Sequence, residues 1–522
     1  MNIGSEMQEI SSNNKRIAKN TLLLYFRMLV TMAVSLYTSR VVLNILGVED
    51  FGIYNVVGGI VAMFGFINGS MTSATQRYLT FELGQNNRTQ LTKVFSTSLS
   101  IHAIISFLII VLAETVGLWF LWNKMQIPAD RMNAAFWVFQ CSVAASVIMI
   151  MSVPYNAAII AHERMSAFAY ISIIEVSLKL LIVCFLRYFH TDKLILYAAL
   201  IVIVQLVIRL CYSWYCNRHF KETKYRWIWD KTLFCEMTGF AGWNLFGNLA
   251  AITFTQGLNL LLNMFFGPVV NAARGIAVQA QTAIGQFSSN FQTALNPQIT
   301  KSYATGDMEY MHGLIFRSAK FSFFLLLLLS LPVLIETKAL LTLWLKIVPD
   351  HTVVFLRIML CTTWVYAVSN PLITAASATG KIKLYQSVVG GLLLLILPIS
   401  YLCLRLGLPA YSVFIVHLVI EITAQFARLL MLKRMIKLSL REYFSKVVWC
   451  IFKVTAIALA VPQVVIYCHP QHGVWNLLMV CLVCTLSTSI SIYYFGLTSG
   501  EKTFISSKIS VILARLKPKT KD

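Results

Sequence analysis

The sequence predicts an all-α polytopic membrane protein of about fourteen transmembrane helices, with two six-helix lobes and two extra helices. Apolar residues make up 58% of the 522 residues and charged residues only 12%, whereas soluble proteins average about 25% charged residues. The mean hydropathy is +0.71. Lysine and arginine collect in alternate loops between the apolar runs. A soluble chain could not bury so much apolar surface, which excludes a cytosolic enzyme, a secreted domain and a dedicated nucleic-acid-binding protein.

The apolar runs give the positions of the predicted helices. A bilayer core about 30 Å thick is crossed by about 20 apolar residues in a helix. Windows of that length predict spans at 21–46, 51–72, 95–121, 134–157, 167–188, 194–216, 237–265, 268–293, 318–336, 351–375, 384–404, 409–429, 447–468 and 474–497. The residues before the first span are polar, and this span is too long for the core of a signal peptide. We therefore expect it to remain in the mature protein.

The charges in the loops predict the orientation. Lysine and arginine resist translocation and therefore collect in cytoplasmic loops. With fourteen spans, the side that holds the amino terminus carries 29 of them and the other side carries seven. Both termini are thus predicted to be cytoplasmic. Topology explains most of the net charge of +22, so no nucleic-acid partner is implied. The loops on the outer side are short, and no extramembrane domain is expected.

An internal repeat predicts the arrangement of the helices. Shifting the chain by 220 residues aligns Gly47 with Gly267, Gly65 with Gly285, Ala74 with Ala294 and Thr80 with Thr300. Each half has six spans, so both halves start on the same side, as in parallel repeats related by an axis along the membrane normal. The predicted parts are an N-terminal lobe at 1–216, a basic cytoplasmic linker at 217–236, a C-terminal lobe at 237–436, and helices 13 and 14 with a cytoplasmic tail at 437–522.

Polar residues within the first half are candidates for binding a substrate. Ionisable groups inside a membrane are costly and usually face a cavity or a partner. Arg27 lies in helix 1, with Thr31 and Thr38 within about 40° of it on a helical wheel. Snorkelling of Arg27 to the interface is the alternative. Glu175 and Lys179 lie one turn apart in helix 5, where they either neutralise each other or contact the substrate.

The second half contains a matching set of candidates. Helix 7 carries a stripe of amides that includes Asn248, Gln256 and Asn259, and helix 8 carries Arg274. Such a stripe either joins helices or lines a wet cavity that binds hydroxyl-rich cargo. Acidic residues are scarcer than basic residues in the spans, so the cavity is predicted to be cationic and to suit an anionic cargo. No complete catalytic or metal motif is present, and we expect no enzymatic activity, cofactor or metal.

Two short segments resemble a known family. They are Asn20-Thr21-Leu22 at the start of helix 1 and Ile45-Leu46-Gly47-Val48-Glu49-Asp50-Phe51-Gly52-Ile53-Tyr54 at the turn into helix 2. The leucine-glycine followed by aromatic-glycine-x-tyrosine resembles the polysaccharide-biosynthesis flippases of the multidrug/oligosaccharidyl-lipid/polysaccharide (MOP) exporter superfamily. The resemblance in helix number and halves covers the whole chain, and the motif covers only its beginning.

The resemblance implies a bacterial inner-membrane flippase that works by alternating access. The implied cargo is an undecaprenyl-diphosphate-linked oligosaccharide, such as an O-antigen repeat unit of lipopolysaccharide or a capsule unit, moved from the cytoplasmic to the periplasmic leaflet. Lipid-II flippases of the superfamily use cavity arginines, and Arg27 and Arg274 are the similar positions here. The implied partners are this cargo, membrane lipids and a coupling ion, with H⁺ and Na⁺ both left open.

Three other functions remain as alternatives. The first is an ion-coupled exporter of drugs or small solutes from the same superfamily. Drug exporters commonly carry an acidic residue in helix 1, where this chain has arginine. The second is a membrane glycan polymerase or ligase, which the short outer loops disfavour. The third is an inert scaffold, which the arginines and amides within the spans disfavour.

Overall fold

The computed structural model describes residues 3–62, 65–123, 125, 127–186, 188–189, 191–226, 228, 230–345, 348–468 and 474–503. Within these ranges the regular structure is entirely helical. Eleven of the helices are long and apolar enough to cross a membrane, and each coincides with a predicted span. The other three predicted spans, at 21–46, 51–72 and 268–293, are also helical where described. The all-α polytopic membrane fold is therefore confirmed.

Several helices are longer than the predicted spans, and some predicted spans share one continuous helix. In chain order they are α1 (Ile3–Ala62), α2 (Gly65–Gly84), α3 (Arg88–Leu112), α4 (Leu118–Asn123), α5 (Met132–Ala161), α6 (Met165–Leu186), α7 (Lys193–His219), α8 (Lys231–Thr305), α9 (Met308–Ile335), α10 (Thr337–Leu345), α11 (Thr352–Ala378), α12 (Lys383–Leu394), α13 (Ile396–Arg405), α14 (Ser412–Met435), α15 (Leu440–Tyr443), α16 (Trp449–Cys468) and α17 (Val474–Ser491). A π-helical turn at Ala113–Gly117 joins α3 to α4, and another at Phe444–Val448 joins α15 to α16.

Two glycines make the same sharp corner within long helices. Gly47 in α1 has φ 80° and ψ 172°, and Gly267 in α8 has φ 77° and ψ −172°. This backbone region is accessible to essentially no residue except glycine. The two positions are the pair that the sequence shift of 220 residues aligned. The corner between the first two helices of each half thus recurs with the same geometry, which supports the predicted repeat.

The contacts within the chain divide it into two compact units. The first unit comprises Met1–Thr253, Thr293–Met311 and Thr374–Gly391, and the second comprises Phe254–Gln292, His312–Ile373 and Leu392–Asp522. Phe95, Phe139 and Leu186 lie in the buried core of the first unit. Leu262 and Phe355 lie in the core of the second. The lobe boundaries drawn from the sequence stay a prediction, and residues 504–522 of the predicted tail lie outside the described residues.

Several basic residues near or beyond the ends of the predicted spans lie on helices. Arg77 belongs to α2, which extends to Gly84, and Lys301 belongs to α8. Lys320 in α9 and Arg428 in α14 are buried. Arg77 and Lys301 lie where the helices extend past their apolar windows. Lys320 and Arg428 lie within the predicted spans at 318–336 and 409–429, where Glu501 and Glu421 compensate their charges. The orientation of the termini stays a prediction.

Candidate functional site

Arg27 occupies a half-buried position between α1 and α6 in the first unit. Its guanidinium carbon lies 4.5 Å from the centre of the Phe168 ring, a distance typical of a cation–π contact. The Thr31 hydroxyl donates a hydrogen bond to the Met28 carbonyl of the same helix at 3.0 Å. The Thr38 hydroxyl is buried and has no hydrogen-bond partner among the described residues. Thr31 is therefore satisfied locally, and Thr38 is the hydroxyl of this stripe that retains its hydrogen-bonding capacity.

Glu175 and Lys179 form an ion pair within α6. Lys179 Nζ lies 2.6 Å from Glu175 Oε1, and the Gln205 amide of α7 donates to the same oxygen at 3.3 Å. Tyr212, also on α7, interacts electrostatically with both Glu175 and Arg27. These five residues, Arg27, Glu175, Lys179, Gln205 and Tyr212, form what we call the first polar cluster. The structure thus brings three of the predicted site residues together, with the acidic member already paired.

Arg274 is held across the Gly267 corner in the second unit. The residue is only 9% exposed. Its Nη1 donates to Asn259 Oδ1 at 3.2 Å and its Nη2 to the Thr255 carbonyl at 2.8 Å. Its Nε is buried without a hydrogen-bond partner in the described part of the chain. The structure therefore joins Arg274 to one amide of the predicted stripe, a contact that the sequence analysis did not predict. The role of both residues in binding a substrate stays a prediction.

The amide stripe of helix 7 is divided between the two units. Asn248 donates to the Ser70 hydroxyl of α2 at 2.9 Å, within the first unit. Gln256 and Asn259 belong to the second unit, where the Gln256 side chain is exposed. One amide therefore joins helices, which was one of the two predicted roles. The assignment of all nine candidates to a substrate cavity stays a prediction.

A second polar cluster was missed by the sequence analysis. Arg428 Nη1 lies 2.7 Å from Glu421 Oε1, and both side chains are at most 5% exposed. Arg428 also donates to the Ser369 hydroxyl of α11, and that hydroxyl donates to Gln425 at 2.6 Å. His417 interacts electrostatically with Glu421 and with Arg274. Glu421 and Arg428 lie seven residues apart, two turns along one helix face, which is the signal that could have revealed the pair.

A buried carboxylate connects three segments at the predicted cytoplasmic end of the first unit. The Glu163 side chain is fully buried, 2.8 Å from Arg16 and 2.6 Å from Lys301. Gln298 donates to it at 2.6 Å, and the Asn20 amide donates to its backbone carbonyl at 3.2 Å. We call these five residues the Glu163 cluster. It holds the start of α1 and the end of α8 against the α5–α6 turn, and the sequence analysis did not identify it.

Loop ion pairs hold the ends of the first unit. Arg131 forms an ion pair at 2.5 Å with Asp50, which belongs to the motif at residues 45–54. It forms a second ion pair at 2.8 Å with Asp192, the residue that caps α7. Burial raises the pKa of the Asp192 carboxyl most strongly. The hydrogen bonds from Arg131 and from the backbone of α7, together with the charge of Arg131, nevertheless bring the pKa below its ordinary value. His162 Nε2 lies 2.5 Å from Glu222 Oε1 in the linker. Burial raises the pKa of the Glu222 carboxyl, and the hydrogen bond from His162 lowers it. The pKa is lowered overall.

Comparison with solved structures identifies proteins that share the fold. No family model and no curated protein matches the sequence. An outward-facing multidrug resistance MATE family transporter of the MOP superfamily matches the structure with a TM-score of 0.70 and 13% identity, over 81% of this chain and 96% of that chain. This chain has the fold of the MOP superfamily.

Two other solved structures support the same fold. A MOP superfamily transporter from Pyrococcus furiosus, described as having a binding pocket of reverse polarity, matches with a TM-score of 0.67 and 13% identity over 81% of this chain and 96% of its own. The MATE transporter ClbM in complex with Rb⁺ matches with a TM-score of 0.66 and 14% identity, over 82% of this chain and 96% of that chain. The fold expected from the sequence is confirmed, and membership of the superfamily and of its polysaccharide branch stays a prediction.

Proposed function

We propose that this protein is a transporter that flips an undecaprenyl-diphosphate-linked oligosaccharide from the cytoplasmic to the periplasmic leaflet of a bacterial inner membrane. The shared MOP fold supports transport by alternating access. The motif at residues 45–54 supports the polysaccharide branch, as do arginines at positions 27 and 274. The cargo offers a multiply charged diphosphate, hydroxyl-rich sugars and a polyprenyl tail that stays in lipid.

The environment of Arg274 is the observation that carries the proposal. Its two described hydrogen bonds go to neutral acceptors, the Asn259 side chain and the Thr255 carbonyl. No carboxylate within the described ranges forms an ion pair with it. Glu421, which interacts with the same His417 side chain, is paired with Arg428. A buried cation without a counter-ion is costly in a membrane segment. A phosphate offers a counter-charge and oxygens that match the planar donors of arginine.

Reconstitution in liposomes tests the proposal. The vesicles contain a short-chain diphosphate-linked glycolipid, and the assay scores the fraction that reaches the far leaflet. We expect transport by the wild type and a reduction of about 10- to 100-fold in Arg274→Ala, corresponding to the loss of about 1.5–3 kcal/mol from hydrogen bonds to a charged group. Arg27→Ala should lower transport as well. Both variants should reach the membrane at wild-type abundance.

The control and the alternative outcome separate the cargo classes. Arg405→Ala removes an exposed arginine at the end of α13 in the same unit and should transport normally. Wild-type activity in both Arg274→Ala and Arg27→Ala would refute the cavity assignment. Folded protein that moves no diphosphate glycolipid, but exports an organic cation in exchange for H⁺ or Na⁺, would establish the drug-exporter alternative instead.

A further inference from the structure

The outward face of α15, the following π-helical turn and α16 forms an open groove. Its volume is about 620 Å³, and it is lined by Arg441, Phe444, Ser445, Val448, Trp449 and Phe452. The opposite face of the same stretch packs into the protein through Tyr443, Val447 and Val454, each fully buried. The groove therefore lies on the side of this helix that faces away from the protein core.

Aromatic contacts hold the walls of the groove in place. The Trp449 and Phe452 rings stack with their centroids 5.7 Å apart and an interplanar angle of 12°. Phe426 of α14 stacks on Phe444 at 6.5 Å and 24°. The Phe444–Val448 turn is π-helical, a feature often found at functional sites. The Phe444, Trp449 and Phe452 side chains nevertheless remain 40%, 54% and 61% exposed.

The charge of the groove is concentrated at one end. Arg441 is exposed. Within the described ranges its guanidinium forms no ion pair or hydrogen bond. The carboxylate of neighbouring Glu442 is bound by Lys446 at 2.6 Å, so its charge is already compensated. The preceding segment adds the exposed basic residues Lys433, Arg434 and Lys437. From Arg441 to Phe452 the helix rises by about 16 Å, close to half of a bilayer core of about 30 Å.

We infer that this groove binds one anionic phospholipid, with its phosphate at Arg441 and one acyl chain along the aromatic side chains as far as Phe452. The apolar part has the length of one leaflet, and the basic end attracts a net negative headgroup. A zwitterionic headgroup also presents an ammonium to Arg441, so it gains less. This inference is independent of the cargo proposed above.

Quenching of Trp449 fluorescence by brominated lipids tests the inference. The full-length protein is reconstituted in phosphatidylcholine vesicles that contain either brominated phosphatidylglycerol or brominated phosphatidylcholine at equal mole fraction. The emission of Trp449 is obtained by subtracting the emission of Trp449→Phe from that of the wild type. We expect phosphatidylglycerol to associate about fivefold more strongly than phosphatidylcholine, the ratio expected from one basic residue near an anionic surface.

Variants assign the preference to the groove. Arg441→Ala should reduce the ratio to about one, and Arg441→Lys should keep most of it because the charge remains. Lys381→Ala, which removes an exposed cation from a different loop, should leave the ratio unchanged. Equal quenching of the wild type by both lipids would overturn the inference without requiring any variant to fold. Protection of Trp449 by a polyprenyl phosphate, with no preference between phospholipids, would also overturn it.

Discussion

Replacing Glu163 with glutamine removes one buried charge and keeps the shape of the side chain. In the Glu163 cluster this carboxylate is fully buried and is bound by Lys301 and Arg16. The glutamine retains an oxygen that can accept the hydrogen bond from Gln298. The change therefore isolates the contribution of the charge to holding α1 and α8 against the α5–α6 turn.

The structure sets the expected magnitude. The Lys301 side chain is 25% exposed, and its hydrogen bond to a charged partner contributes about 1.5–3 kcal/mol. The Arg16 side chain is 47% exposed, so solvent screens its pair and limits it to at most about 1 kcal/mol. The expected loss in the free energy of unfolding is about 2–4 kcal/mol. At about 2 °C per kcal/mol for a large domain, the thermal midpoint should fall by roughly 4–8 °C.

Thermal unfolding of the purified full-length protein in detergent measures this loss. The matched control is Glu442→Gln, which removes the charge from an exposed ion pair with Lys446 of the same 2.6 Å length. The control should unfold at the wild-type midpoint, because exposed pairs contribute little. Equal midpoints for Glu163→Gln and Glu442→Gln would refute the argument that burial makes the Glu163 charge important.

Further predictions concern the glycine corners and the linker contact. Gly47→Ala and Gly267→Ala should each destabilise the protein by about 1–3 kcal/mol in thermal unfolding, since the required backbone conformation is essentially restricted to glycine. Gly275→Ala, at an ordinary helical position with open space around it, should not lower the midpoint. For the contact between Glu222 and His162, a lowered carboxyl pKa stabilises the protein above the unfolded value of about 4.3, and this is lost as the pH falls below it. The difference in midpoint between wild type and Glu222→Gln should therefore shrink between pH 5 and pH 3, and a constant difference over that range would contradict the assignment.

The sequence predicted the fold well because the bilayer restricts the choices. A chain in lipid must satisfy its backbone within helices, so apolar runs translate directly into spans. The equivalence of Gly47 and Gly267 was also visible, because a sharp corner requires glycine at one specific position. Each of these features depends on local sequence, which a single chain displays directly.

The site was predicted less completely because its contacts join distant segments. Helical periodicity placed Asn259 and Arg274 on polar faces but could not identify their contact. Glu163 meets Lys301 from 138 residues away, which no local pattern reveals. The bond of Thr31 to its own helix was missed for a different reason. Threonine commonly donates to the carbonyl one turn earlier, so this local contact could have been expected from the sequence.

The sign of the charge effect in the first polar cluster discriminates between the cargo classes. Glu175 is paired with Lys179, and Arg27 interacts with the same cluster through Tyr212, so this cluster carries one more cation than carboxylates. Glu175→Gln increases that excess, and Lys179→Gln removes it while keeping side-chain length similar. If the cargo is an anionic diphosphate, Lys179→Gln should slow its movement in liposomes and Glu175→Gln should preserve or increase it, because the attraction follows the net charge near the binding group. Export of a cationic drug predicts the opposite order. Comparable loss of transport in both variants, at normal membrane abundance, would instead show that the intact ion pair matters for structure and that its charge does not select the cargo.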